Sequence, residues 1–288
     1  MVKGLGKITK IFRKEGLMVK ILKGEDIERV LKVLEDSISS NLEEILDKIK
    51  FYLPLELLID IREALKGLLY KEKYVRKGKF LVVSGLDKTG KETLCFNPLN
   101  LKGIRSLKEF FEEKGYHVLT INLPSYNTNL GSLISSYLGK KEEKYKILGS
   151  ISKDYAWILW SLDRAQYNIK AIEWLKKDKA LVLAKRWLES NLAYQRANGI
   201  KPERILKFEE NIVKQDYTII LDLKPELVLK RTNNPDLYEN LEYLKEVRRA
   251  YLDLPKYYPY GKFFYLDSSL SLKEVNREVL ELVEKQIN

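Results

Sequence analysis

A strand-like apolar run that ends in a glycine-framed loop constrains this chain more than any other feature. Residues 80–96 are FLVVSGLDKTGKETLCF, in which the apolar run leads to two glycines, Gly85 and Gly90, and then to Lys91. Phosphates bind where backbone N–H groups converge at a helix N-terminus, and glycines permit the tight turn that this requires. The pattern therefore predicts a phosphate-binding loop between a strand and a helix.

The loop departs from the usual pattern at its last position. Glu92 follows Lys91, where a magnesium-binding Ser or Thr is usual. Lys88 adds a second cation to the loop, and the helix after it is expected to be short because Pro98 and Gly103 interrupt it. A glycine turn without a ligand is the alternative interpretation of this stretch taken alone.

From residue 79 onward, short apolar strands alternate with helices. The predicted strands include KFLVVSG, YHVLTINL, ALVLA and YTIILDL. Such alternation predicts βαβ units and a parallel sheet covered by helices on both faces, with ligands at the carboxyl ends of the strands. Capping boxes are predicted at two helices of this region, at Ser106 with Glu109 and at Ser271 with Glu274.

The residues before Gly78 have a different pattern. Three consecutive amphipathic helices are predicted there, and Ser40 with Glu43 forms a capping-box pattern before the second. The charged stretch KEKYVRKGK that follows lacks apolar periodicity and is interpreted as a linker. We therefore expect an all-α extension over residues 1–78 and a three-layer α/β/α domain over residues 79–288.

Composition narrows the class of protein. The formal net charge is +11, of which residues 1–23 carry +6, and this favours anionic ligands. The basic segment is interpreted as a solvated arm or helix, with a nucleic-acid contact as the alternative. One cysteine and one histidine exclude an internal disulfide and argue against a Cys/His zinc site. No apolar run of membrane-spanning length or secretory signal occurs, so a cytoplasmic protein without membrane attachment is predicted.

Four motifs in order give residues 79–288 a resemblance to the thymidylate kinases. They are GLDKTGKET, LPSYNTNLG, LWSLDRAQ and KRWLESNLAYQ, and EVRRAYLDL near the C-terminus is also typical of that family. The resemblance implies a P-loop NTPase fold and transfer of the ATP γ-phosphoryl group to dTMP, with Mg²⁺ accompanying ATP. It also implies a homodimer. The Lys- and Glu-rich composition is typical of thermophile proteins.

The resemblance also implies roles for individual residues. Lys91, Lys88, Arg186 and Asp87 correspond to catalytic positions, and Asp87 also matches the carboxylate near the sugar 3′-hydroxyl. Trp160 corresponds to the aromatic ring that stacks on thymine, Arg164 to the group that binds a base carbonyl, and Tyr194 to the ring that selects deoxyribose. Tyr126 and Arg186 correspond to groups that reach the monophosphate, and Asn191 and Gln195 complete the implied acceptor site. The implied ATP-phosphate site consists of Gly85, Leu86, Asp87, Lys88, Thr89, Gly90, Lys91, Glu92, Thr93 and Arg231.

Departures from the family pattern fall at the site itself. Glu92 replaces a hydroxyl, Lys185 replaces the aspartate that helps to order the metal, and Ser125 replaces a frequent arginine. The mobile lid of the family corresponds to RTNNPDLYEN, in which Arg231 is the only basic residue. We expect Glu92 and Lys185 to pair, because an uncompensated carboxylate facing ATP is unfavourable. No dedicated metal site is then expected beyond Glu92 itself.

Two functions follow from these observations. An intact acceptor site favours an active thymidylate kinase, whereas the charge changes favour a protein that binds nucleotides and has lost turnover. In the second case the basic N-terminal region would contact a partner or nucleic acid.

Overall fold

A computed structural model describes residues 11–14, 17–140, 144–232 and 240–287, with side chains from residue 19 onward in those ranges. Tertiary contacts divide the chain into two compact units. The first, called here unit 1, contains residues 1–71, 124–169 and 203–212, and unit 2 contains residues 72–123, 170–202 and 213–288. These units cut across the boundary at residue 78, so the division into an extension and a kinase-like domain stays a prediction.

The described residues form eight strands and fourteen helices. The strands are β1 (Ile11–Lys14), β2 (Leu17–Lys23), β3 (Lys79–Gly85), β4 (His117–Asn122), β5 (Tyr145–Leu148), β6 (Ala180–Lys185), β7 (Tyr217–Asp222) and β8 (Lys262–Asp267). The helices are α1 (Gly24–Ser37), α2 (Leu42–Ile49), α3 (Leu55–Leu68), α4 (Lys91–Phe96), α5 (Leu107–Glu113), α6 (Asn129–Tyr137), α7 (Lys153–Ala165), α8 (Asn168–Leu175), α9 (Leu188–Ala197), α10 (Pro202–Phe208), α11 (Pro225–Lys230), α12 (Leu241–Leu252), α13 (Leu254–Tyr257) and α14 (Leu272–Gln286).

A five-stranded parallel sheet forms the centre of unit 2. Its order is β4-β6-β3-β7-β8, so β3, which leads into the phosphate loop, lies in the middle. The side chains of β3 are buried from Phe80 onward. On one face Leu81 and Val83 pack with Phe111 and Val279 from α5 and α14, while α9 packs against β3 on the other side. The predicted parallel α/β/α sheet is confirmed.

Unit 1 combines helices α1, α2, α3, α6 and α7 with a small sheet. In that sheet β2 pairs antiparallel with β1 and parallel with β5. Helix α3 approaches α7 closely at Gly67, where a Cβ atom would lie 2.2 Å from the carbonyl oxygen of Ala165. The Asn168 amide donates to the Gly67 carbonyl at 2.9 Å, which fixes this contact.

Two expectations about the N-terminal region are wrong. Residues 11–14 and 17–23 are strands, so the region is not all-α, and the arm-or-helix interpretation of residues 1–23 fails at these positions. Pairing with β5, a distant partner, decides the conformation of β2. Residues 1–10 and 15–16 of the basic segment lie outside the described residues. The cap of α2 is Asn41, which accepts from the Glu44 amide, and not Ser40.

Other local predictions agree with the structure. The three helices before residue 78 are present as α1, α2 and α3, and the capping boxes at Ser106 and Ser271 are both formed. Residues 71–77 have no regular secondary structure, as expected for the linker. None of the helices in the described ranges is long and apolar enough to span a bilayer.

Candidate active site

The loop after β3 depends on left-handed backbone conformations. Gly85 has φ 127°, and a Cβ atom there would lie 2.4 Å from the Leu221 carbonyl oxygen of the neighbouring strand. Gly90, with φ 85°, is the N-cap of α4, and Lys88 has φ 60°. L-residues other than glycine rarely adopt such conformations, so this loop can turn closely only with glycine at its two ends.

The Lys91 side chain folds back into the loop. Its ammonium donates to the Leu86 carbonyl and, at 3.2 Å, to Thr89 Oγ1, and it lies 3.8 Å from Asp87 Oδ1. Burial lowers the pKa of Lys91 well below its usual value, and the neighbouring Arg186 lowers it further. A phosphate oxygen would offer this desolvated ammonium a charged acceptor in place of neutral oxygens, which makes Lys91 a strong anion-binding group.

The predicted shortening of the following helix is confirmed. Helix α4 ends at Phe96, and the next residue, Asn97, adopts a left-handed conformation with φ 41°. The buried Asn97 side chain accepts from the Leu101 amide and donates to the Ile104 carbonyl, which holds the turn that Pro98 begins. The loop therefore presents a short helix whose N-terminus follows Gly90.

Arg186 lies directly after β6 in a strained backbone conformation, with φ 65°. Its guanidinium donates to Asp87 Oδ1 at 2.6 Å, to the Tyr251 hydroxyl at 2.9 Å and to the Tyr194 hydroxyl at 3.2 Å. Its backbone amide donates to the Val83 carbonyl at 3.0 Å, which ties it to the strand that carries the loop. Backbone strain of this kind is concentrated at functional sites.

Helix α9 supplies three of the predicted acceptor residues, all in unit 2. Asn191, Tyr194 and Gln195 share one face of the helix because their spacing is three and four residues. Asn191 and Gln195 are buried. The Tyr194 ring lies beneath the Arg186 guanidinium, 5.1 Å from its central carbon, and meets the Tyr251 ring edge-on. Burial raises the pKa of Tyr194 well above its usual value, so its hydroxyl stays protonated and able to donate.

The two departures from the family pattern contact each other. Lys185 Nζ lies 3.4 Å from Glu92 Oε2, and Asn122 Nδ2 donates to Glu92 Oε1 at 3.1 Å. The predicted ion pair is therefore present. Lys185 is the last residue of β6 and Glu92 is the second residue of α4. The pair therefore links the carboxyl end of strand β6 to the helix that follows the phosphate loop.

In unit 1 the predicted base-binding residues lie on helix α7. The Trp160 ring is half-buried and meets the Tyr137 ring edge-on, with centroids 5.7 Å apart. Arg164 is buried, and its Nε and Nη2 donate to the two carboxylate oxygens of Glu209, each at 2.7 Å. Ser161 also donates to Glu209 at 2.6 Å. Glu209 thereby fixes the plane of the guanidinium.

Residues 124–131 of the LPSYNTNLG motif lie in unit 1, where they form a turn and the start of helix α6. A Cβ atom at Gly131 would lie 1.9 Å from the Ser125 carbonyl oxygen, so α6 can begin this close only with glycine there. The Ser125 amide donates to Asp163 Oδ2 at 2.9 Å, and burial raises the pKa of Asp163 to about 6. Tyr126, in the same turn, accepts a hydrogen bond from Lys140 at 3.1 Å.

Tyr251 and Glu209 are among the contacting residues that were not predicted as site residues. Tyr251 is buried and bonds both Arg186 and Ser190, and its position in EVRRAYLDL, a segment typical of the family, was the available signal. Glu209 carries no such signal, because it lies in the polar stretch KFEEN and its partner is 45 residues away.

Residues 233–239 of the predicted lid segment lie outside the described ranges, but Arg231 at its start is described. Arg231 caps α11, and its guanidinium donates to the Lys88 carbonyl at 3.1 Å. It also lies 3.4 Å from the Ser268 carbonyl, so these contacts join the start of the lid segment to the phosphate loop.

The side chains at the loop do not fit a protein-held divalent cation. Magnesium prefers oxygen ligands in octahedral geometry, but both carboxylate oxygens of Glu92 already contact Lys185 or Asn122. The described residues contain no group of three or more His, Cys, Asp or Glu side chains able to hold a metal. Hydrogen bonds to Arg186 also engage Asp87, the other carboxylate of the loop.

A central strand, a glycine-framed loop and a buried lysine at the helix N-terminus define a nucleotide-binding protein of the P-loop class. The family model for thymidylate kinase matches residues 83–279. The probable thymidylate kinase of Pyrococcus abyssi is 30% identical over 216 residues, covering 73% of this chain and 98% of the relative. The thymidylate kinase of Thermoanaerobacter sp. (strain X514) is 27% identical over 219 residues, covering 73% and 100%.

A solved structure agrees with these sequence matches. The thymidylate kinase from Candida albicans aligns with a TM-score of 0.52 over 73% of this chain and 92% of that chain, at 20% identity, which shows similarity of fold. This chain therefore belongs to the thymidylate kinase family. Members of that family use ATP with a divalent metal, generally Mg²⁺.

Proposed function

We propose that this protein transfers the γ-phosphoryl group of ATP to dTMP, giving dTDP and ADP. The observation that carries the proposal is the Lys91–Asp87–Arg186 cluster at the carboxyl ends of β3 and β6, with the ammonium of Lys91 buried inside the loop. Clusters of desolvated cations at a helix N-terminus suit phosphate groups, and family membership supplies the reaction class.

The chemistry requires positioning and charge stabilisation rather than a covalent intermediate. An oxygen of the acceptor phosphate bonds to the γ-phosphorus while the bond to the β,γ-bridging oxygen breaks, and ADP leaves with that oxygen. Lys91 and Lys88 bind the transferring phosphates and Arg186 stabilises the charge on the equatorial oxygens. Arg231, whose guanidinium contacts the Lys88 carbonyl, adds a cation at the loop.

The assignment of the acceptor residues rests on the motif match. Trp160 stacks on the base, which contributes about 1–3 kcal/mol by analogy with base–aromatic stacking, and Arg164 donates to a base carbonyl. Tyr194 excludes a ribose 2′-hydroxyl, and Asp87 bonds the 3′-hydroxyl. Tyr126, Asn191 and Gln195 complete the assigned acceptor residues. The hold of Glu209 on Arg164 supports this role, because a guanidinium of fixed plane discriminates between acceptors better than a mobile one.

The test is a coupled assay of ADP release with dTMP, dUMP and dCMP as acceptors. We expect release that depends on the acceptor and is fastest with dTMP. Lys91→Ala should lower the rate by about two orders of magnitude or more, whereas Lys114→Ala, at an exposed ion pair with Glu284, should leave it unchanged. Tight ATP binding with no acceptor-dependent release would reject the proposal.

One observation favours a second candidate, a protein that binds nucleotides without turnover. The Glu92–Lys185 pair stands where the family pattern has metal-ordering groups, and loss of those groups is a route to loss of catalysis. In this case the basic N-terminal segment would contact a partner or nucleic acid. Salt-sensitive DNA binding that disappears when residues 1–23 are removed would support it.

Three further properties belong to the same proposal. We propose a homodimer, as the resemblance implies, a cytoplasmic location, as the absence of a secretory signal from the sequence predicts, and a thermophile origin, as the Lys- and Glu-rich composition indicates. Light scattering coupled to size-exclusion chromatography tests the dimer, since a mass of one chain, 33.8 kDa, would contradict it. A thermal midpoint in the mesophile range would contradict the third property.

A further inference from the structure

The Glu92–Lys185 pair has a defined place in the sheet of unit 2. Lys185 ends β6, and its backbone is in register with Asn122 of β4 on one side and Val83 of β3 on the other. Glu92 approaches this edge from the first turn of α4. The cluster therefore lies where the phosphate loop, two parallel strands and a helix N-terminus converge.

The Lys185 ammonium is largely shielded from solvent, which strengthens its interactions with nearby charges. The Lys185 side chain is 15% exposed, whereas that of Glu92 is 48% exposed. Burial lowers the pKa of Lys185, while the Glu92 carboxylate acts in the opposite direction. Glu92 thus holds the charged form of a partly desolvated lysine next to Lys91 and Arg186, and its own charge reduces the repulsion among these three cations.

The substitution of both positions changes the local charge. A hydroxyl and an aspartate, which are usual at the two positions, contribute 0 and −1, whereas Glu92 and Lys185 contribute −1 and +1. The sum rises from −1 to 0, so the phosphate end of the site gains one positive charge. The same substitution removes a hydroxyl and an aspartate that magnesium would use, and the new Glu92 carboxylate is engaged by Lys185 and Asn122.

We infer that the Lys185 ammonium, paired with a Glu92 carboxylate that Asn122 also bonds, takes over the neutralising role that a protein-held divalent cation has at such loops, so that this chain binds free ATP without a metal. This inference deepens the proposed nucleotide site and rests on it. A cation on a fixed strand end needs no metal ligands, and its attraction for a triphosphate is strong in a desolvated site.

A divalent cation at Glu92 is the competing arrangement. It would have to displace Lys185 from one carboxylate oxygen and Asn122 from the other, or lie within a few ångströms of an ammonium with no anion left to screen it. Both changes oppose metal binding. One of the two positive charges that a divalent metal would bring is already supplied by the protein.

Isothermal titration of the full-length protein with ATP, once with excess Mg²⁺ and once with EDTA, tests the inference directly. We expect the two dissociation constants to agree within about threefold. Binding that weakens by about tenfold or more in EDTA would overturn it. If no binding occurs in either buffer, both the nucleotide site and this inference fail. Metal-independent binding without ADP release would keep the inference and reject the kinase.

Variants at the pair locate the effect. Lys185→Gln removes the charge and should weaken binding in EDTA by about tenfold, whereas Lys185→Arg keeps it and should stay within about threefold of the wild type. The double variant Glu92→Thr with Lys185→Asp restores the usual residue types and should bind ATP well only with Mg²⁺. Equal EDTA affinities for Lys185→Gln and the wild type would overturn the role of Lys185. Thermal midpoints of all variants report whether they fold.

Discussion

The two buried arginines among the predicted site residues, one in each unit, differ in the carboxylates that hold them. Arg186, in unit 2, is bonded to Asp87, whose side chain is 39% exposed. Arg164, in unit 1, is bonded through two nitrogens to Glu209, whose side chain is fully buried. Arg186 can therefore exchange Asp87 for water or a phosphate, whereas solvent has no access to the carboxylate that holds Arg164.

The two arginines also differ in their backbone conformations and in the number of groups that share each guanidinium. Arg186 has a left-handed backbone at a strand end and shares its guanidinium among a carboxylate and three hydroxyls, one of them that of Ser190. Arg164 lies within a regular helix and makes a planar, two-bond contact. A strained, multiply shared group suits a changing partner, and an unstrained, doubly bonded group suits a fixed orientation. We therefore expect Arg186 to exchange its partner and Arg164 to keep one orientation.

Removing Glu209 should give the largest effect. Glu209→Ala leaves the Arg164 guanidinium buried without its anion, and we expect unfolding free energy to fall by about 3–5 kcal/mol. Urea unfolding measures it. The matched control is Glu35→Ala, which breaks a pair with Arg204, a side chain that is 34% exposed, and should cost about 1 kcal/mol or less. Equal losses at the two positions would contradict the distinction between sealed and accessible pairs.

Replacing Arg186 should affect turnover more than stability. Arg186→Lys keeps one positive charge and the same left-handed backbone demand, but loses the planar fork. We expect kcat to fall by about 10²–10³-fold, as for loss of a preorganised donor to transition-state charge. The unfolding free energy should fall less than for Glu209→Ala, because water can reach Asp87. A steady-state assay with a near wild-type kcat would show that Arg186 only shapes the loop.

The phosphate loop near Arg186 could be predicted from sequence because the residues that define it are close together in the chain. Gly85, Gly90 and Lys91 lie within seven residues, and the strand before them has an unbroken apolar pattern. The Glu92–Lys185 pair was also predictable, since two departures at matched motif positions had opposite charge. Even the end of α4 followed from Pro98, because proline cannot continue a helix.

The contacts of Arg164 and the position of strand β2 could not be predicted, because both depend on residues that are distant in the chain. Glu209 lies in a polar stretch that would suit a surface, and only its partner 45 residues away explains why it is buried. Strand β2 pairs with β5, with Lys20 in register with Tyr145. No pattern within residues 17–23 indicates that pairing. Ser40 and Asn41 are both competent caps, so sequence alone could not choose between them.

The smallest predicted effect concerns Asp163, the neighbour of Arg164 in the same motif. Burial raises its pKa from 3.8 to about 6, and this outweighs the bonds from Ser125 and Gln166 that favour the charged form. The folded protein therefore binds this proton more tightly than the unfolded chain between pH 3.8 and about 6. Stability should fall as pH rises through that window, by up to roughly 1.4 kcal/mol per pH unit from this group.

Asp163→Asn removes the titration while its amide oxygen can still accept from the Ser125 amide. Urea unfolding at several pH values between 4 and 6.5 would show a slope for the wild type that is more negative than the slope for Asp163→Asn. Other groups titrate in both proteins and cancel in the difference, so the comparison isolates one carboxyl. Identical slopes would mean that Asp163 is as well solvated by its hydrogen bonds as it is in the unfolded chain. The surroundings of Asp163 would then stabilise its charged carboxylate in spite of its burial.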